Sequence, residues 1–82
     1  MALNSIIIEG KFGHFTSKKG AEKTTFTIIY KDQSFNVITE GILAQSATLY
    51  RKNNVLRIVG SLRKVGRSTL ISAEHIENYY KK

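Results

Sequence analysis

The chain has no cysteine and no apolar run long enough to cross a membrane. Without cysteine, no disulfide or thiolate metal site can support the fold, so the hydrophobic core of 82 residues must suffice alone. A transmembrane helix needs about 20 apolar residues, and the N-terminus lacks the charged region and apolar stretch of a secretory signal. The sequence therefore predicts one soluble domain over residues 1–82, with no membrane partner and with the cytoplasm as its default location.

Acidic residues are also few. Six Asp and Glu stand against thirteen Lys and Arg, which gives a formal net charge of +7. A positive surface potential of this kind attracts polyanions and speeds their encounter with the protein. Nucleic acid is therefore the leading class of partner, whereas an anionic membrane surface is disfavoured because no basic amphipathic helix is present. The alternative is that the charge only keeps a small protein soluble.

The sequence offers no recognisable catalytic constellation. His14 and His75 are the only histidines, and neither lies in a ligand or triad motif. A glycine loop of the Walker type, which would cradle a phosphate, is also missing. We therefore expect neither enzymatic activity nor a metal site or cofactor.

The opening segment predicts a strand that bends. Residues 3–12 are rich in β-branched side chains, and two glycines, Gly10 and Gly13, lie three positions apart. A glycine within a strand marks a bulge, a sharp curl or a close approach of backbones, as the first strand of a small barrel requires. The isoleucines at positions 6–8 cannot all face one core, so one side of this strand is a candidate subunit contact.

The remaining pattern predicts a closed, all-β architecture. A period of two predicts four further strands, over residues 25–31, 34–40, 55–64 and 68–77. A helical period predicts one short helix over residues 42–52, with Arg51 and Lys52 in its last turn. Residues 13–24 are predicted as a mobile basic loop, 31–33 and 65–67 as turns, and 78–82 as a frayed end. Five strands with a helix between the third and fourth is the order of the Greek-key OB-fold barrel.

Four fragments in the right order resemble the bacterial single-stranded DNA-binding protein family over nearly the whole chain. They are Asn4-x-Ile6-x-x-x-Gly10-x-x-Gly13, Phe26-Thr27-Ile28, Val37-Ile38-x-x-Gly41-x-Leu43-Ala44 and Val55-x-x-Ile58-x-Gly60-x-Leu62-Arg63. The resemblance implies an OB-fold, oligomerisation, and binding of single strands without strong sequence preference.

Departures from the family pattern point to a second resemblance. Ser34 and Glu40 occupy the third-strand positions where the family has aromatic residues that stack on bases. The hairpin loops after the second and fourth strands are reduced to a few residues, and residues 78–82 replace an acidic tail. Primosomal replication protein N, a related OB protein that relies on basic residues and dimerises, is therefore a close second resemblance.

The candidate nucleic-acid-binding residues fall into two groups, because a binder of single strands needs cations along a groove and π-faces for bases. In the first group Arg57 and Arg63 share a strand face, and Lys64 and Arg67 flank the next turn, so the four predict a basic stripe. The alternative is an ordinary solvated face. The second group interleaves charge with aromatic rings in and beside the basic loop, as a clamp on the strand would, and its members are Lys11, His14, Phe15, Lys18, Lys19 and Lys23. For Phe15 the alternative, equally supported by the sequence, is that its ring closes one end of the barrel and does not contact nucleic acid. Lys31 and Asn36 complete the predicted site.

The sequence thus predicts a protein that binds single-stranded DNA, with RNA as a possible ligand, chiefly through phosphates. We expect a homo-oligomer, dimer or tetramer, acting in DNA replication, repair or primosome function. The alternative is a protein-interaction module that keeps the barrel and has lost nucleic-acid binding. Ser34 and Glu40 favour that alternative, whereas the net charge and the face shared by Arg57 and Arg63 favour the first reading.

Overall fold

Five strands and one short helix follow each other in the predicted order. The computed structural model describes residues 5–16, 22–52 and 54–79. The elements are β1 (Ser5–Phe15), β2 (Lys23–Tyr30), β3 (Gln33–Glu40), α1 (Ile42–Ala47), β4 (Val55–Val65) and β5 (Ser68–Tyr79). The strands close into a barrel in the order β1-β2-β3-β5-β4, in which only β3 and β5 pair in parallel. The predicted OB-fold class, a five-stranded Greek-key barrel, is confirmed.

The first strand bends, as its glycines predict. Its N-terminal half pairs with β4, and its C-terminal half pairs with β2 after a register shift between Phe12 and Phe15. A Cβ atom on Gly10 would lie 2.3 Å from the backbone oxygen of Ile29, so only glycine permits this approach of β1 to β2. The predicted end of the strand at Phe12 is wrong. A β-bulge accommodates the register shift, and pairing with β2 continues to Phe15.

The core lies inside the barrel and under the helix. The ring centroid of Phe26 lies 5.4 Å from that of Phe12 and 5.7 Å from that of Tyr50. Phe26 is fully buried and Phe35 packs against the core cluster, as the alternation of their strands predicts. Burial also raises the pKa of the Tyr50 phenol above its ordinary value.

The helix is shorter than predicted. It ends at Ala47, and the next three backbone N–H groups donate to carbonyls three residues back, which tightens the chain into turns. The Thr48 hydroxyl also donates to the Gln45 carbonyl, at 2.6 Å. Arg51 and Lys52 therefore lie beyond the helix, and the prediction that they stand in its last turn is wrong.

Two tight turns close the hairpins. Lys31 and Asp32 both have positive φ, at 49° and 64°, which is the signature of a two-residue type I′ turn between β2 and β3. The β4–β5 turn contains Gly66 at a φ of 62°. In the described part of the chain, no helix has the length and apolarity needed to span a membrane.

The last strand is longer than predicted. Tyr79 pairs with Val55 on β4, and the Asn78 side-chain amide donates to the Asn54 side chain at 3.4 Å. The prediction that the frayed end begins at Asn78 is therefore wrong for these two residues, because β4 offers partners up to its first residue. Residues 80–82 of that predicted end lie outside the described residues.

Candidate nucleic-acid interface

One row of outward side chains crosses four neighbouring strands. The strand pairing places Thr27 on β2 beside Asn36 on β3, and Asn36 beside Leu70 on β5. Leu70 in turn pairs with Arg63 on β4. Directly paired residues point to the same side of a sheet, so these four side chains form one continuous row. We call the outer surface of β2 and β3, extended by Leu70 and Arg63, the front face.

A second row on the front face begins on the first strand. Lys11 pairs with Ile29, which pairs with Ser34. All three side chains are exposed. This row places a cation, an apolar surface and a hydroxyl side by side near the β2–β3 turn.

His14 lies at the edge of the front face and is held there by one hydroxyl group. Its backbone N–H donates to Thr27 Oγ1 at 3.1 Å, and its ring Nδ1 lies 3.3 Å from the same oxygen. Thr27 is buried although it belongs to the outer row, since His14 lies over it. The imidazole is thereby placed next to the row that ends at Arg63.

Exposed cations border the front face at both turns. Lys31 stands at the β2–β3 turn, and Arg67 stands at the β4–β5 turn, near Arg63. The structure thus brings most of the residues predicted from the sequence around one surface. The predicted residues found there are Lys11, His14, Lys23, Lys31, Asn36, Arg63 and Arg67. Lys64 is not among them, because successive side chains of a strand point to opposite sides and Lys64 directly follows Arg63 on β4.

Arg57 lies apart from this surface. It shares the outward side of β4 with Arg63, as predicted, but six residues separate them, which is about 20 Å along a strand. Its Cα partners are Glu9 on β1 and Glu77 on β5, so a carboxylate residue stands on each side of it. Opposite charges on paired residues offset each other, so Arg57 does not extend the basic stripe as we expected.

Phe15 belongs to the core rather than to the front face. Its ring centroid lies 5.0 Å from that of Phe12, and it packs, half-buried, against the core cluster. This contact favours the alternative in which Phe15 closes one end of the barrel. Two further members of the second predicted group, Lys18 and Lys19, lie outside the described residues. Lys23 is exposed at the start of β2, where it pairs with Glu40.

The sequence interpretation missed two exposed side chains beside the β2–β3 turn. Ile29 is 40% exposed and Tyr30 is 38% exposed, and the Lys31 ammonium lies 5.3 Å from the centroid of the Tyr30 ring. Ile29 is the one apolar residue on the threonine side of strand 2, and that exception to the alternation was the available signal. Ser34 and Glu40 are exposed, so β3 carries no aromatic platform.

The chemistry of the front face suits an anionic polymer. It combines lysine and arginine side chains with the hydrogen-bonding side chains of His14, Asn36 and Ser34, and phosphates accept from such donors. Within the described ranges, no three His, Asp or Glu side chains stand close enough to hold a metal ion.

The barrel and its front face define an OB-fold domain. No known protein family profile matches the sequence, and no curated protein matches it.

Solved structures do resemble it. A small single-stranded DNA-binding protein from Mycoplasma pneumoniae is 21% identical, with a TM-score of 0.68 and 98% of each chain covered. The dimeric N-terminal domain of PriB from Thermoanaerobacter tencongensis is 13% identical, with a TM-score of 0.64, over 95% of this chain and 98% of that one. A chain of the S. pombe Stn1-Ten1 complex is 16% identical, with a TM-score of 0.80, over 96% of this chain. This chain spans only 60% of that yeast chain. The predicted resemblance to bacterial single-stranded DNA-binding proteins and to primosomal replication protein N, which is PriB, is confirmed at the level of the fold.

Proposed function

We propose that this protein binds single-stranded DNA across the front face, chiefly through phosphates. The observation that supports this most directly is the row from Thr27, with His14 above it, through Asn36 to Arg63. OB-folds bind oligonucleotides on the surface of strands 2 and 3, which is where this row lies. Because single strands become exposed in DNA replication, repair and primosome assembly, we propose a cytoplasmic role in one of these processes.

The proposed mechanism relies on charge more than on stacking. Lysine and arginine side chains that neutralise phosphates release condensed counterions, which favours binding and makes it depend on salt. Stacking of a base on an aromatic ring is worth about 1 to 3 kcal/mol, but the only ring of β3, Phe35, packs against the core and not on the front face. We therefore expect modest affinity, weak dependence on sequence and strong dependence on salt.

Two arginine variants test the location of the site. Arg63→Gln and Arg57→Gln remove the same charge from the same side of β4, but only Arg63 borders the front face. We expect Arg63→Gln to weaken the binding of labelled oligo-dT about fivefold, whereas Arg57→Gln changes it less than about twofold. Fluorescence anisotropy measures both affinities.

Equal losses in the two variants would contradict the front-face site. A folded protein that binds no oligonucleotide at low salt would instead favour the protein-interaction module. Circular dichroism of each variant shows that the barrel is retained.

We also propose that two copies of the chain associate through β1. Among the described residues, Ser5 to Glu9 pair only with β4, and β2 approaches β1 from Gly10 onward, so the other edge of Ser5 to Glu9 has no paired strand. Ile7, in the middle of the segment, is 63% exposed. An unpaired strand edge with an exposed apolar side chain is a template for pairing with another chain.

Ile7→Glu tests this association. Ile42, at the start of α1, is 82% exposed and lies away from the strand edge, so Ile42→Glu is the matched control. We expect sedimentation equilibrium to show a dimer or larger oligomer for the unmodified protein and for Ile42→Glu, and a monomer for Ile7→Glu. An unmodified protein that is monomeric at micromolar concentration would contradict the proposal.

A further inference from the structure

A groove of about 490 Å³ lies between the β2–β3 turn and the middle of β1. This volume falls within the range of small-molecule sites, about 300 to 1,000 Å³. The residues that line it are Glu9, Gly10, Lys11, Ile29, Tyr30, Lys31, Asp32 and Val55. The groove adjoins the front face, because Lys11 and Ile29 belong to both.

The groove contains the surfaces that a flat ring needs. Ile29 and Tyr30 are both about two-fifths exposed in the free chain, and Val55 adds a further apolar contact. The Lys31 ammonium, 5.3 Å from the centroid of the Tyr30 ring, stabilises that ring beside the groove. On a chain whose third strand exposes no aromatic ring, Tyr30 supplies an exposed ring beside the groove.

The charge of the groove differs from that of the chain. Two carboxylates, Glu9 and Asp32, balance two ammonium groups, Lys11 and Lys31, in a protein whose net charge is +7. A phosphate in the groove would meet both carboxylates, which accept hydrogen bonds and donate none. A neutral group that carries N–H donors fits this arrangement better than a phosphate does.

A nucleobase with an exocyclic amino group has this chemistry. Cytosine presents the N4 amino group, from which Glu and Asp side chains accept, whereas thymine presents the O4 carbonyl oxygen at the same place. Glu9 also lies opposite Arg57, but an ionised carboxylate has enough lone pairs to accept from both partners.

We propose that the groove receives one base of the bound strand and that Glu9 favours cytosine over thymine there. This inference rests on the proposed function, because the front face must first hold the strand. The Tyr30 ring stacks on one face of the base, and Glu9 accepts from its amino group. Lys11 and Lys31 contact the flanking phosphates.

The test compares oligo-dC with oligo-dT of about twelve nucleotides, a length within the site sizes of single OB-folds. We expect the unmodified protein to bind oligo-dC about fivefold more tightly at pH 7.5, as one additional hydrogen bond to a charged group provides. Glu9→Gln and Glu77→Gln remove the same charge from the two neighbours of Arg57, but only Glu9 lines the groove. Glu9→Gln is expected to lower the affinity ratio to about 1, and Glu77→Gln to leave it unchanged.

A second set of variants tests the ring. We expect Tyr30→Ala to weaken the binding of both oligonucleotides about tenfold, and Tyr30→Phe to retain it. Tyr79 is 43% exposed and does not line the groove, so Tyr79→Ala is the control and is expected to change little.

The outcomes separate the inference from the function on which it rests. Binding of both oligonucleotides with equal affinity overturns the base preference and leaves the front-face site standing. Equal effects of Tyr30→Ala and Tyr79→Ala overturn the groove as the place of the base. Binding of neither oligonucleotide overturns the proposed function and this inference with it.

Discussion

Single residues are interpretable from the sequence when their role depends on the backbone next to them. Gly10 is such a residue, because its spacing to Gly13 within a β-branched strand indicates a bend, and the structure shows why a side chain is excluded. Arg57 is the opposite case. Alternation along β4 correctly predicts that it points outward, but its neighbours Glu9 and Glu77 come from the two ends of the chain. Strand register, which no local pattern contains, decides whether such a cation is free to bind a phosphate.

Gly10→Ala tests the close approach of β1 to β2. The added Cβ would lie 2.3 Å from a backbone oxygen, so a strand must shift, and overpacking of this kind costs about 1 to 3 kcal/mol of the free energy of unfolding. Gly66→Asn is the control. Asparagine tolerates the φ of 62° at Gly66, and a Cβ added there would have no atom within 4 Å. Urea denaturation is expected to show a lower free energy of unfolding for Gly10→Ala, and a decrease below about 1 kcal/mol for Gly66→Asn. A smaller loss for Gly10→Ala than for Gly66→Asn would contradict the account of the bend.

At the scale of elements, the predicted kinds and order of the strands and helix agree with the structure, and the errors lie at their ends. The helical period continues past Ala47, but the turns stabilised by Thr48 end the helix there. The first strand continues past Gly13 because a bulge keeps it paired with β2. In both cases hydrogen bonds that the periodicity does not contain decide the boundary.

The β2–β3 turn gives a prediction at this scale. Asp32 has a φ of 64° at the second central position of a type I′ turn, where glycine is favoured because it carries no Cβ. We expect Asp32→Gly to raise the free energy of unfolding by about 0.5 to 1 kcal/mol, with a higher midpoint in thermal denaturation. An unchanged or lower midpoint would show that the positive φ of Asp32 does not cost stability in this turn.

At the scale of the whole molecule, the net charge predicts a polyanionic partner, and the barrel determines which cations can act together. The sequence predicts most of the residues around the front face, since alternation and turn positions are local properties. It does not predict the groove at Tyr30, because that groove forms only where β1, β2 and β4 meet. Pairing between distant segments also explains why Arg57 does not belong to the predicted basic stripe, because that pairing places Glu9 and Glu77 beside it.

The most direct test of the central claim is the salt dependence of oligo-dT binding. Besides Lys23, which pairs with Glu40, four lysine and arginine side chains border the front face, at positions 11, 31, 63 and 67. If each neutralises one phosphate, the logarithm of the association constant falls with the logarithm of the salt concentration with a slope of about −3, and Arg63→Gln makes it shallower by roughly 0.7. A slope near zero, with binding retained at high salt, would contradict recognition through phosphates.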